Sequence, residues 1–199
     1  NMYKELPPIE LISKLDSNRF DKLTYSYGIW NLYRRYGKDF KNKAEDCVIR
    51  RMDRWGINTI ANWSSMDIIK LNRKAFLLPL NGMELSHDLM GLCDIYDPLS
   101  LSIIEKNLKE ITSSLKNNPW LIGYFIGNEP AWLNQEIRLC DLILKGKDRP
   151  IKTELIKYLK IKGDSNENRK EFILNTFHDF LVATNKLLKK YDPNHLNLG

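Results

Sequence analysis

Cysteine and histidine are scarce in this chain, with three of each among 199 residues. Cys47, Cys93 and Cys140 are far apart, odd in number and form no CxxC, which argues against a disulfide framework or a structural zinc site. With so few histidines and no HExxH, no catalytic metal and no cofactor is expected. The chain also lacks a P-loop, a GxGxxG after a strand, and any Ser-His-Asp or Cys-His arrangement. Its longest apolar stretches, such as AFLLPL at 75–80, fall far short of the roughly 20 residues a membrane helix needs, so no membrane span is expected. The start, NMYKELPPIEL, has no basic segment followed by an apolar one, so it carries no secretory signal, and export is left open. Internal repeats and low-complexity linkers are missing as well.

What is present is ordinary globular composition, 43% hydrophobic and 28% charged, in a chain long enough to bury one domain core. The excess of 31 Lys and Arg over 25 Asp and Glu gives +6. Much of it falls between Lys145 and Lys170. That segment reads as a solvated helix face and loop, with a polyanion surface as the alternative, and no nucleic-acid partner is expected.

From Lys43 to Trp55, Ala44, Cys47, Val48, Met52 and Trp55 recur at helical spacing until Gly56, placing Cys47 on an apolar face as a buried thiol. INTIANW (57–63) then reads as a strand. AFLLPLNG (75–82) reads as a second, weakened by Pro79. Asp97-Pro98 supplies a cap and first-turn proline for a helix carrying Ile103, Ile104, Leu108, Ile111 and Leu115. LIGYFIG (121–127) is apolar at both alternating sets of positions, the pattern of a strand covered on both faces of a parallel sheet. After it come a polar connection, a long helix over about 169–190 and a fourth strand at HLNLG (195–199). Trp55 and Trp120 read as core, His195 as structural, and His87 as a surface residue.

Strands alternating with helices imply an α/β fold with a parallel sheet. A (β/α)8 TIM barrel usually needs about 250 residues, so this chain reads as about the first half of one, to the start of strand 5. The alternative is a smaller, complete doubly wound sheet. In a barrel, catalytic groups stand at the C-terminal ends of strands, here Asn62-Trp63-Ser64, Asn81-Gly82 and Asn128-Glu129. Glu129 follows seven uncharged residues, which places it at the rim of an apolar wall. Desolvation there raises a carboxyl's pKa and suits it to donate a proton. Asn62 and Trp63 are candidates for substrate contact, as is Trp132 in the loop over the cleft. Asn31 is a further candidate if YGIWNLYRRYG (27–37) follows the first strand.

NPWLIGYFIGNEPAW (118–132) resembles the fourth-strand segment of clan A glycoside hydrolases. RRMDRWGINTIANWSS (50–65), YDPNHLNLG (191–199) and YGIWNLYRRYG resemble, in the same order, segments of the agarase-like members, family 50 and relatives. The resemblance implies a retaining hydrolase of β-linked poly- or oligosaccharide, agarose-type or another β-galactoside favoured, in a periplasmic or extracellular setting. It implies Glu129 as acid/base and Asn128 as a ligand of the sugar 2-hydroxyl. Gly127 and Pro130 depart from the agarase-like pattern and match the GNEP of cellulase-like members. The family nucleophile, a glutamate near the end of strand 7, is missing from this chain. The chain alone is therefore expected to be inactive, with the other half of the barrel as a second chain or lost segment. The competing reading is a non-catalytic carbohydrate-binding or interaction protein on a degenerate barrel.

Overall fold

A computed structural model describes residues 5–14, 23–80 and 87–199, and it divides the chain into two compact units. The first comprises the residues up to Asn58 together with Met66–Arg73. In it β1 (Ile12–Lys14) pairs antiparallel with β2 (Leu23–Tyr25), followed by α1 (Tyr27–Tyr36) and α2 (Phe40–Arg54), with the short α3 (Met66–Lys70) joining later. The Ser26 hydroxyl accepts the Ile29 amide and starts α1, so YGIWNLYRRY is helical. Gly56, at φ +68°, follows the end of α2 as its sequence position predicts. Cys47 is half-buried on α2, and Trp55 is 67% exposed, so neither is the core residue expected. Trp55 stands at the C-cap of α2, one residue past its last turn.

The second unit, Thr59–Ser65 with Lys74–Gly199, holds a four-stranded parallel sheet in the order β3 (Thr59–Ile60), β4 (Ala75–Pro79), β5 (Leu121–Phe125), β6 (Leu196–Asn197). Sequence order equals spatial order, as repeated βα units require. In β5, Leu121 and Gly123 on one face and Tyr124 and Ile126 along the other are buried, consistent with its unbroken apolar sequence. Trp120, just before it, is 39% exposed and not core. Asn81 and Gly82, at the expected end of the second strand, lie outside the described residues.

Helices α4 (Pro98–Ser113) and α7 (Asn166–Tyr191) pack against each other and are tied where Lys190 Nζ and Tyr191 Oη both donate to Glu105 Oε1, at 2.7 and 2.6 Å. α4 has the predicted cap: the Asp97 carboxylate accepts the Leu99 amide at 2.9 Å, with Pro98 in the first turn. The polar connection expected before the long helix instead contains α5 (Glu136–Lys145) and α6 (Pro150–Lys162). The charges at Lys145–Lys170 obscured an apolar stripe, Leu139, Cys140, Ile143, Ile151, Leu155 and Leu159, that is fully buried. Among the described residues no helix is long and apolar enough to cross a membrane.

Gly123 marks the tightest point of the sheet. The register of β4 against β5 shifts at Phe76/Leu77, and a Cβ on Gly123 would overlap the Leu196 backbone carbonyl of β6. Backbone cannot yield as a side-chain tip can, so Gly123→Ala is expected to destabilise by about 1–3 kcal/mol. A denaturant midpoint unchanged from wild type would contradict this close approach.

Candidate functional site

Because the four strands are parallel, their C-terminal ends share one edge, where α/β folds place ligands and catalytic groups. The chain leaving β5 at that edge runs through Gly127, Asn128 and Glu129, all exposed. Glu129 adopts a left-handed backbone at φ +43°, an uncommon conformation for a residue with a Cβ. Two turns follow: Leu133 N donates to Pro130 O at 3.0 Å and Gln135 N to Trp132 O at 2.7 Å. The buried Glu136 carboxylate then accepts the Asn134 amide at 3.0 Å, fixing the entry to α5.

This loop borders a mostly apolar pocket of about 450 Å³. Ile126, Trp132 and Met90 line it together with Phe177, Phe180 and Leu181 of α7, while Asn128 and Glu129 contribute its polar edge. Among the described lining residues Glu129 has the only ionisable side chain. The apolar wall anticipated from the sequence is therefore present, but it lies beside Glu129 and leaves that carboxylate exposed. The residue stands at the rim of that wall, four positions beyond the end of β5.

The pocket wall is held from two segments distant in sequence. Arg149, between α5 and α6, pairs with Asp88, whose carboxyl its guanidinium holds below the usual carboxylate range. Asp94 is buried and caps α6 across the fold, its Oδ2 accepting the Ile151 amide at 3.2 Å while Oδ1 accepts Tyr96 N at 3.2 Å. Burial pushes the Asp94 carboxyl upward, opposed by these two amides. Tyr96 stacks on Phe172, with centroids 6.1 Å apart, and its hydroxyl meets Thr176 Oγ1 at 3.2 Å. Cys140, in the same core, has its thiol pushed up to about 12 by burial and is inert as a nucleophile at neutral pH.

Toward the opposite edge lies a buried polar network. Tyr124 Oη donates to Asp192 Oδ2 at 2.6 Å, and His195 Nδ1 meets the same oxygen at 2.7 Å. The His195 Nε2 lies 3.0 Å from the Asn118 carbonyl, an acceptor, so both ring nitrogens face acceptors. Burial and the hydrogen bond to Asp192 push the Tyr124 hydroxyl well above its ordinary value. His195 thus joins the segments preceding β5 and β6, in keeping with the structural role read from the sequence.

Of the residues singled out from the sequence, the structure brings Asn128, Glu129 and Trp132 to one pocket. Trp132 is only 2% exposed and packs edge-on against Phe177, centroids 5.0 Å apart, so its ring forms pocket wall and not an open platform. Asn62 and Trp63 follow β3 at the same edge of the sheet but are not among the pocket's lining residues. Trp63 stands 72% exposed at φ +62°, and Asn62 Oδ1 is buried without a hydrogen-bond donor among the described residues. Asn31 is exposed on α1 of the first unit. The His87 side chain lies outside the described ones. No group of three or more His, Cys, Asp or Glu able to hold a metal occurs among the described residues. The sequence reading missed Met90, Phe177, Phe180 and Leu181 as pocket residues. Their only signal was apolar character, which for Phe177 and Phe180 matches a helix packing stripe.

No protein-family model matches the chain. Among curated proteins it is similar to Beta-agarase B of Vibrio sp. (strain JT0107), with 30% identity over 117 residues, covering 52% of this chain and 12% of that protein. Among solved structures it is similar to an agarase, AgWH50C, with a TM-score of 0.79 and 24% identity, covering all of this chain and 34% of that one. PfGH50B matches with a TM-score of 0.71 and 22% identity over the whole chain and 37% of its own length. An exo-beta-agarase matches at 0.68 and 18%, over 88% of this chain and 30% of its own. The chain thus spans little more than a third of the longest-matched of these proteins. Over that portion it is similar to agarases, in line with the resemblance read from the sequence, and its parallel α/β fold is similar to theirs.

Proposed function

We propose that this chain is part of the catalytic domain of an agarose-cleaving glycoside hydrolase of the family 50 type, with β3 to β6 as the second to fifth strands of a (β/α)8 barrel. The observation that carries the reading is the placement of Glu129, the sole carboxylate of the described pocket lining, at the C-terminal edge of a parallel sheet similar to that of agarases. Retaining hydrolysis requires two carboxyls about 5 Å apart. One attacks the anomeric carbon as the glycosidic bond breaks. The other protonates the departing oxygen, then takes a proton from the water that releases the sugar. Glu129 fills the second role. The first falls to a glutamate in the portion of the barrel that these 199 residues do not span.

Asn128, adjacent in the same loop, is proposed to bind the sugar 2-hydroxyl, a contact that strengthens as positive charge develops at the anomeric carbon. Asn62 and Trp63 are proposed as further sugar contacts. An indole face suits the C–H face of a pyranose, and the ring of Trp63 is exposed. The decisive assay compares this chain alone with a polypeptide that also carries the remaining strands, using agarose and following reducing ends and product anomer by NMR. Hydrolysis with retention is expected only when both parts are present. Inverted product, or no hydrolysis in the longer protein, would refute the mechanism. Activity of the 199-residue chain by itself would refute the assignment of the nucleophile.

A further inference from the structure

Glu129 stands on a backbone conformation that its own residue type does not favour, so something must hold the loop there. The loop side chains next to it are exposed or half-buried, and Trp132, three residues on, is the first that is fully buried. Its indole belongs to the core formed by Leu89, Leu92, Leu139, Ile143 and Phe172, and meets Phe177 edge to face. Its carbonyl accepts Gln135 N, and the preceding turn closes from Leu133 N to Pro130 O, so both turns of the loop hinge on the segment this side chain anchors.

From this we propose that Trp132 is a positioning residue, holding the backbone at Glu129 in its left-handed conformation by anchoring residues 128–135 in the helical core, without contact to sugar. The proposal rests on the reading of Glu129 as acid/base. An aromatic ring buried in a core loses less when replaced by phenylalanine than by alanine, whereas a sugar platform acts through its exposed face.

The test measures amide hydrogen exchange across 121–135 in wild type, Trp132→Phe and Trp132→Ala, together with kcat and KM on agarose in the form of the protein that hydrolyses it. Trp132→Ala should speed exchange at Leu133 and Gln135 while β5 stays protected, and Trp132→Phe should restore most of that protection. In the alanine variant kcat should fall about 10²-fold, the cost of a small misplacement of a reacting group, with KM within about twofold. Unchanged exchange in the loop, or a rise in KM at constant kcat, would overturn the proposal. Full activity of Glu129→Gln would instead overturn the acid/base reading, while the exchange rates still decide whether Trp132 anchors the loop. If Trp132→Ala does not fold, Trp132→Leu, which keeps an apolar side chain but not the reach of the indole, takes its place in the comparison and should show the same faster exchange at Leu133 and Gln135.

Discussion

Glu129→Gln, made in a polypeptide that also carries the proposed remaining strands, is expected to lower kcat on agarose by about 10²–10⁴-fold, the usual contribution of a positioned general acid and base. Glutamine keeps the size and hydrogen-bonding reach of the side chain but can neither give nor take the proton. The loss should depend on the leaving group. A β-glycoside with an activated phenol departs without protonation, so glycosylation of the nucleophile survives and release by water becomes limiting. Azide needs no base to attack, and it should therefore accelerate turnover of that substrate and give a β-glycosyl azide. An equal loss on both substrates with no azide product would assign Glu129 another role.

The largest stability effect is expected at Asp192, which is fully buried and accepts from Tyr124, His195 and the Asn194 amide. Asp192→Ala leaves a buried phenol and a buried imidazole without their acceptor, and should cost about 3–5 kcal/mol. Tyr124→Phe removes one donor while the rest of the network persists, and should cost nearer 1 kcal/mol. The same carboxylate sets an acid dependence. Burial acts to raise its pKa, but the hydrogen bonds from Tyr124 and His195 outweigh this and hold it below the usual carboxylate range. A depressed folded value means that the stabilisation is complete above the ordinary carboxylate range and is lost as pH falls from that range through the lower folded value. Unfolding midpoints measured from neutral pH downward should therefore fall more steeply in wild type than in Asp192→Ala. Parallel profiles would show that the ionised form is not what the network recognises.

The elements with strong periodicity were legible before any coordinates. α2 announced itself through Ala44, Val48 and Met52, α4 through its Asp97-Pro98 start, and β5 through seven uncharged residues ending at Asn128-Glu129. The edge of the sheet, and Glu129 as a carboxylate standing at it, followed from those. α1 was not recognised because its aromatic residues suit strand and helix alike, and helicity there depends on the Ser26 cap. α5 and α6 were hidden for a different reason. Their segment was read for its basic charge, and the buried positions of each helix are interleaved with exposed apolar residues such as Ile137, Leu142, Ile156 and Ile161, which blurs the helical period. Trp132 shows the limit at the site itself. A tryptophan beside an acid/base can stack on sugar or pack into core, and only the partners brought from Leu89 and Phe177 distinguish the two.

The clamps that join residues 87–97 to α5 and α6 bear on how such a site could be rebuilt. Asp88 with Arg149, and Asp94 with the Ile151 amide, link pieces of chain about 60 residues apart. A graft of the α5–α6 segment from another protein would leave Asp88 without Arg149, and would leave the buried Asp94 without a donor unless the incoming backbone sets an amide where that of Ile151 stands. Recombination at this locus is workable only with both pieces as a single cassette, so specificity in such chimeras should be inherited as a linked pair of loops and not one loop at a time.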